Sequence, residues 1–260
     1  MSDPSSLSEA DLDILRSMSG PMTAADVPRL LRPFIYGDPK VGKTDLVARI
    51  CQELNLSPMW IYSDSGRSTV LKYPDVADRT SFIPFDSFAQ IRLLVKAREE
   101  GYEPFCNHNA IVLDTVSTQV NNMLRIVVKE RPLPKEQPHP SVEGWGHYRM
   151  VESAMKDTVD VLTRSDMHVF YLAHVRDPNK DDKEKKRFSI RPAGPEATYR
   201  VIAQEANLIG WLYKEGKELQ RQIQFNQTLQ ETAGTQIPTI EEKTYKTQDV
   251  PGLLAKYVNG

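Results

Sequence analysis

The chain has 260 residues, a formal net charge of −2, 26% charged and 40% hydrophobic residues, a length and balance that suit one large α/β domain better than two small ones. That charge excludes a polycation, so any nucleic-acid contact has to be local. Cys51 and Cys106 are the only cysteines, too few for a disulfide framework and in keeping with a reducing compartment. No run of about 18 apolar residues offers a membrane span, and Met1–Ala10 lacks the apolar core of a signal peptide; a cytoplasmic protein with no membrane partner is expected.

In chain order, residues 1–28 read as an N-terminal arm with a short amphipathic stretch at Leu12–Met18. Arg32–Tyr36 reads as a strand running into a glycine loop, and Lys43–Leu54 has helical apolar spacing through Leu46, Val47, Ile50 and Leu54. Met59–Tyr62 is a second strand, Phe88–Glu100 a helix, Ala110–Leu113 a buried strand and Val116–Val128 the helix behind it. Four prolines (132, 134, 138 and 140) within Lys129–Gly146 predict neither helix nor central strand there. A helix over Tyr148–Thr163 and a buried strand over Met167–Ala173 follow. After the polar stretch Arg176–Pro195 come a helix at Thr198–Glu205 and two late strands, Leu208–Tyr213 and Gln220–Phe225, in hairpin order. Thr244–Gln248 is strand-like, and Val250–Val258 is a docking segment. The expected domains are the arm, a core over residues 29–228, and an extension over 229–260 that packs on the core or projects from it. Alternating strands and helices predict a mostly parallel sheet with helices on both faces and late antiparallel strands. Ligands bind such sheets beyond the carboxyl ends of the strands.

Gly37-Asp38-Pro39-Lys40-Val41-Gly42-Lys43-Thr44 matches G-x-x-x-x-G-K-[ST] between a strand and a helix. The glycines let backbone N–H groups cradle phosphates, and the cradle extends to Asp45 in the first turn of a helix whose dipole favours anions. Lys43 would reach the outer phosphates and Thr44 would ligate Mg²⁺. Asp114, closing Ala110–Leu113, suits the carboxylate partner of that metal, or else caps the next helix. Asp64, after the second strand, is aimed to orient an attacking water, or bonds its own backbone in a turn. His174 closes its strand as either a γ-phosphate sensor or a structural histidine.

At Gly37–Thr44, Ile111-Val112-Leu113-Asp114-Thr115 and His174 the chain resembles the RecA-like P-loop ATPases. Within them it looks most like small phage-type relatives that act in single-strand DNA annealing and recombination. The resemblance spans residues 30 to 225 or so. It implies ATP with Mg²⁺, hydrolysis stimulated by DNA, and, for a phage-encoded member, the bacterial host's cytoplasm. It also implies a homo-oligomeric ring or filament in which a neighbour supplies a basic finger, for which Lys214, Lys217 and Arg221 are candidates. A single-strand-binding or replication protein is a further partner in keeping with it. Family members carry glutamate where Asp64 stands.

RecA-like proteins hold single-stranded DNA in two loops after core strands, and two irregular stretches fall at the corresponding places. The first offers Lys129, Arg131, Lys135, Trp145, Tyr148 and Arg149; the second offers Arg176, Lys183, Lys185, Lys186, Arg187, Phe188 and Arg191. Cations that track phosphates beside aromatics that stack bases are what such binding needs. The second stretch also carries Asp177, Asp181, Asp182 and Glu184, the mix of a plain solvated loop, and Trp145 equally suits an anchor on the core. Two other functions fit the phosphate loop. One is a small-molecule kinase with residues 176–191 as its lid; the other is an AAA+ helicase loader or assembly factor, which calls for a helical lid domain after the core.

Overall fold

A computed structural model describes residues 28–64, 66–130, 140–175, 196–216, 220–225 and 233–260, with side chains described throughout except at 140–145 and 196–197. The elements in order are β1 (Pro33–Gly37), α1 (Lys43–Glu53), β2 (Pro58–Tyr62), α2 (Arg67–Val70), α3 (Pro74–Ala77), β3 (Ser81–Pro84), α4 (Phe88–Glu99) and β4 (Ala110–Asp114). Then follow α5 (Val116–Glu130), α6 (Pro140–Arg164), β5 (His168–His174), α7 (Glu196–Glu205), β6 (Leu208–Glu215), β7 (Gln220–Gln224), β8 (Gly234–Thr235), β9 (Thr244–Lys246) and α8 (Val250–Asn259).

The strands make one sheet in the order β3-β2-β4-β5-β1-β6-β7-β9, with β8 also on β6. Every pairing from β3 to β6 is parallel; β7, β8 and β9 are antiparallel. This is the mostly parallel sheet with late antiparallel strands that the sequence predicts. Its consequence for the site is that β5 separates the loop strand β1 from the aspartate strand β4. The end of β5 is registered against the loop, Gly37 opposite His174.

Alternation along each strand divides the core in two. Ile35, Trp60, Val112 and Leu172 face one layer, where Leu46, Val47 and Ile50 of α1 pack with Val250 and Leu254 of α8. Phe34, Tyr36, Ile61, Leu113 and Tyr171 face the other, under Ile91 and Val95 of α4, Val120 of α5, Met155 and Val159 of α6, and Ile202 of α7. Helix α4 begins as the sequence allows: Ser87 Oγ accepts from Gln90 N at 3.2 Å, and Gln90 Oε1 accepts from Asp86 N at 3.0 Å, a reciprocal cap. The apolar stripe of α8 sits on α1, the helix that follows the phosphate loop.

Two expectations need correction, and one stretch holds elements the sequence did not announce. Helix α6 begins at Pro140, not Tyr148, because proline at the first helical position loses no hydrogen bond and brings its φ already set; the prolines therefore exclude less than they suggest. Helix α5 runs to Glu130, taking Lys129 into its last turn. Between Ser63 and Ser87 lie three elements without strong periodicity, α2, α3 and β3. The arm up to residue 27 lies outside the described residues, as do 131–139, 176–195 and 217–219.

Candidate active site

The phosphate loop is shaped by close approach and by handedness. A Cβ on Gly37 would stand 2.2 Å from Leu212 O of β6, so only glycine lets these strands lie side by side there. Lys40 (φ 62°) and Gly42 (φ 112°) are both left-handed, the alternation that turns successive N–H groups toward one point. Asp38, Pro39 and Lys40 are exposed along the loop's rim, while Val41 is buried under it. Helix α1 begins directly after Gly42 with no side-chain cap; the N–H groups of its first turn have no partner within the helix.

Lys43 is 5% exposed and its Nζ donates to Gly37 O and Asp38 O, both at 2.9 Å. His174 Nδ1 lies 3.4 Å from the same ammonium. Burial lowers Lys43 to about 8, although Asp114, Asp64 and Asp38 pull the other way. The His174 value is also lowered, by burial first and then by Lys43, with Asp64 opposing. Ser117 Oγ at the start of α5 accepts from His174 N at 3.1 Å. His174 thus connects the loop lysine to α5, immediately ahead of the residues from 176 onward.

Asp114 is 2% exposed. Its Oδ2 accepts from Thr44 Oγ1 at 2.9 Å and from Trp60 Nε1 at 3.2 Å. Burial raises the carboxyl to about 6, with Asp64 adding to the rise and Thr44, Trp60 and Lys43 opposing it. Ser63 anchors the turn above: its N–H donates to Asp114 O at 2.8 Å and its Oγ accepts from Thr115 N at 3.2 Å. Asp64 Oδ1 accepts from Gly66 N at 2.8 Å, so the turn aspartate of the bland reading exists. The same residue also lies beside Thr44 and Asp114, because a Cβ on Gly66 would meet Asp64 Oδ1 at 3.0 Å, Asp114 Oδ2 at 3.1 Å and Thr44 Oγ1 at 3.3 Å. Three oxygen donors therefore surround the bare face of Gly66.

Lys43, Thr44, Asp45, Asp64, Asp114 and His174 line one cleft of about 460 Å³, together with Lys72 and Arg221. Among the described residues no three His, Cys, Asp or Glu side chains form a ready metal cage. The donor set, a hydroxyl on a buried carboxylate with a second carboxylate beside it, instead fits Mg²⁺ that keeps waters and takes phosphate oxygens.

A family model described as an AAA domain matches residues 30–256. The chain belongs to that AAA domain family. With the phosphate loop and its buried aspartate in place, this family member is a P-loop ATPase. No curated protein matches the chain. Two solved structures resemble it at low identity. A RadB recombinase is 15% identical over 76% of this chain and 80% of its own, with a TM-score of 0.40. The flagellar accessory protein FlaH from Methanocaldococcus jannaschii is 14% identical over 85% and 86%, with a TM-score of 0.42.

The described candidate DNA side chains, those of Lys129, Tyr148 and Arg149, are not among the residues lining this cleft. Lys129 on α5 and Tyr148 and Arg149 on α6 are exposed; Trp145 lies on α6, its side chain not among those described. Arg131, Lys135, Arg176, Lys183, Lys185, Lys186, Arg187, Phe188 and Arg191 lie outside the described residues, and so does Lys217. Of the finger candidates, Lys214 is exposed and Arg221 bonds Asp45 of its own chain. The sequence reading missed Trp60, Ser63 and Gly66. The tryptophan carried a signal, since a buried indole N–H in an apolar strand requires an acceptor; Gly66 carried none, its role depending on side chains from three elements. No described helix is long and apolar enough to cross a membrane.

Proposed function

We propose that this ATPase binds single-stranded DNA in an ATP-dependent manner and promotes annealing or recombination as a homo-oligomer. The observation that carries the ATPase chemistry is the convergence of Lys43, Thr44, Asp64 and Asp114, from three strand ends, on one cleft. Loop N–H groups and Lys43 bind the phosphates of ATP. Thr44, backed by Asp114, holds Mg²⁺, which when bound neutralises phosphate charge and aligns the outer phosphates. Asp64 orients the attacking water, its carboxylate fixed by Gly66 N. His174 reads the outer phosphate through Lys43 and passes its state to the segment that begins at residue 176.

Support for DNA is chemical. The stretches around 129–149 and 176–191 combine lysines and arginines with aromatics, and Lys129, Tyr148 and Arg149 present such groups to solvent on two helices packed together. We read 1–28 as an arm, 29–228 as the core and 229–260 as an extension packing on it or projecting from it, with Lys214, Lys217 and Arg221 the candidates for a finger in a neighbour's site.

The experiment is fluorescence anisotropy of a labelled single-stranded oligonucleotide with Mg²⁺ and ATP, ADP or no nucleotide, across a salt series. Affinity should be highest with ATP and fall roughly as a power of salt set by the phosphates contacted. Nucleotide-independent binding, or none at low salt, sinks the DNA reading. ATP turnover that appears only with a small hydroxyl acceptor establishes the kinase in its place.

A further inference from the structure

Arg221 stands on β7, which is separated from the loop strand β1 by β6, yet its side chain ends on the phosphate loop. Its Nη1 donates to Asp45 Oδ2 at 2.8 Å. Its guanidinium carbon and Nη1 each lie 3.0 Å from the point a Cβ on Gly42 would occupy. Strand pairing explains the reach: Arg221 is registered against Lys214 and Ile223 against Leu212, and the apolar pair packs in the α1 layer. Arg221 therefore continues that face past the sheet's end toward Gly42.

Asp45 does not need this arginine for neutrality. Its Oδ2 already accepts from Arg49 Nη2 at 2.9 Å and its Oδ1 from Tyr73 OH at 2.8 Å. One carboxylate is shared by two guanidinium groups, which leaves net positive charge at the mouth of the loop. Both side chains line the cleft, and the arginine is the more open of the two, 39% exposed against 13% for Asp45. A planar guanidinium offers several donors in a fork, and one bond to Asp45 leaves others for phosphate oxygens.

We propose that Arg221 is a nucleotide-binding residue that acts in cis. Its guanidinium donates to the phosphate chain of the ATP or ADP in its own subunit's loop, and Asp45 parks it over Gly42 until nucleotide arrives. The proposal rests on the phosphate-loop reading, and it removes Arg221 from the candidates for a finger reaching a neighbour.

The test is titration with Mg²⁺ and fluorescent ATP and ADP analogues of wild type, Arg221→Gln, Arg221→Lys, Asp45→Asn with Arg221→Gln, and Lys43→Ala. Losing one charge-assisted contact should weaken both nucleotides about tenfold in Arg221→Gln, with partial recovery in Arg221→Lys. The double variant should stay as weak as Arg221→Gln. Were Arg221 only a counter-charge for Asp45, the double variant would return to wild-type affinity, and that result overturns the proposal. Mixing Arg221→Gln with Lys43→Ala protein should leave turnover at the Arg221→Gln level. Restored turnover would place the arginine in a neighbour's site and overturn the cis assignment. Unchanged affinity in Arg221→Gln, alongside lost binding in Lys43→Ala, overturns this proposal alone; wild-type binding by Lys43→Ala overturns the phosphate-loop reading with it.

Discussion

The two edges of the sheet carry clefts of similar size and opposite character. At the strands' carboxyl ends, the cleft of about 460 Å³ holds a lysine lowered to about 8 and an aspartate raised to about 6, both out of balance because burial outweighs their partners. At the amino ends, a larger cleft of about 580 Å³ is lined by Leu30, Arg32, Thr163, Asp166 and Asn207. Here the polar groups mostly tie the fold together: Asn207 accepts from Arg32 N at 2.8 Å and donates to Leu30 O at 2.7 Å. Beside it, His168 Nδ1 accepts from Leu31 N at 3.1 Å. Among the described, fully buried side-chain atoms of this cleft, Arg32 Nε and Thr163 Oγ1 lack a partner. Volume does not mark the active edge; a buried lysine and a buried aspartate brought to one cleft do.

The strongest way to break this contrast is Lys43→Ala. Removing the buried ammonium of the loop should cost about 10³-fold in kcat/KM, or ~4 kcal/mol, and isothermal calorimetry should show nucleotide binding lost while urea unfolding stays cooperative.

Acid titration sharpens it next, because each edge contributes a buried group with opposite effect. Asp114 holds its proton up to about 6 in the folded chain against 3.8 normally, so its contribution to stability falls as pH rises from about 4 to 6. Burial lowers His168 from 6.5 to about 4; the unfolded chain takes its proton first on acidification, so this contribution rises over nearly the same window. Each spans about 3 kcal/mol, and in the wild type they offset one another. Relative to wild type, nucleotide-free Asp114→Asn should gain stability with rising pH across 4–6.5 and His168→Gln should lose it, as read from urea midpoints. Parallel curves for the two variants would show that the edges do not differ in this way.

Asp64→Asn tests the division of labour within the active edge. Hydrolysis should slow by about 100-fold with nucleotide affinity unchanged; a wild-type rate removes Asp64 from the water-positioning role. The smallest effect belongs to Gly66→Ala. Its backbone sits at φ −58°, open to alanine, so the new methyl acts only by crowding Asp64, Asp114 and Thr44. A several-fold loss, ~1 kcal/mol, should appear as a raised Mg²⁺ requirement in a turnover assay.

Much of the active edge was legible in the chain itself. The glycine and lysine spacing of 37–44 is local: a tight turn into a helix can be recognised without knowing what surrounds it, and the apolar run ending in Asp114 marks a buried strand with a carboxylate at its end. The mostly parallel sheet with late antiparallel strands followed from the alternation of strands and helices. Pro140 misled because proline's meaning depends on whether it opens a helix or interrupts one. Which groups Arg221, Gly66 and Trp60 meet was decided by tertiary structure. Strand order places β7 within reach of the loop that follows β1, and oxygens of the chain-distant Thr44 and Asp114 join that of Asp64 against the bare face of Gly66. Sequence separation does not encode which strands become neighbours. Packing of the two apolar layers selects that order, and with it which side chains meet the phosphate loop.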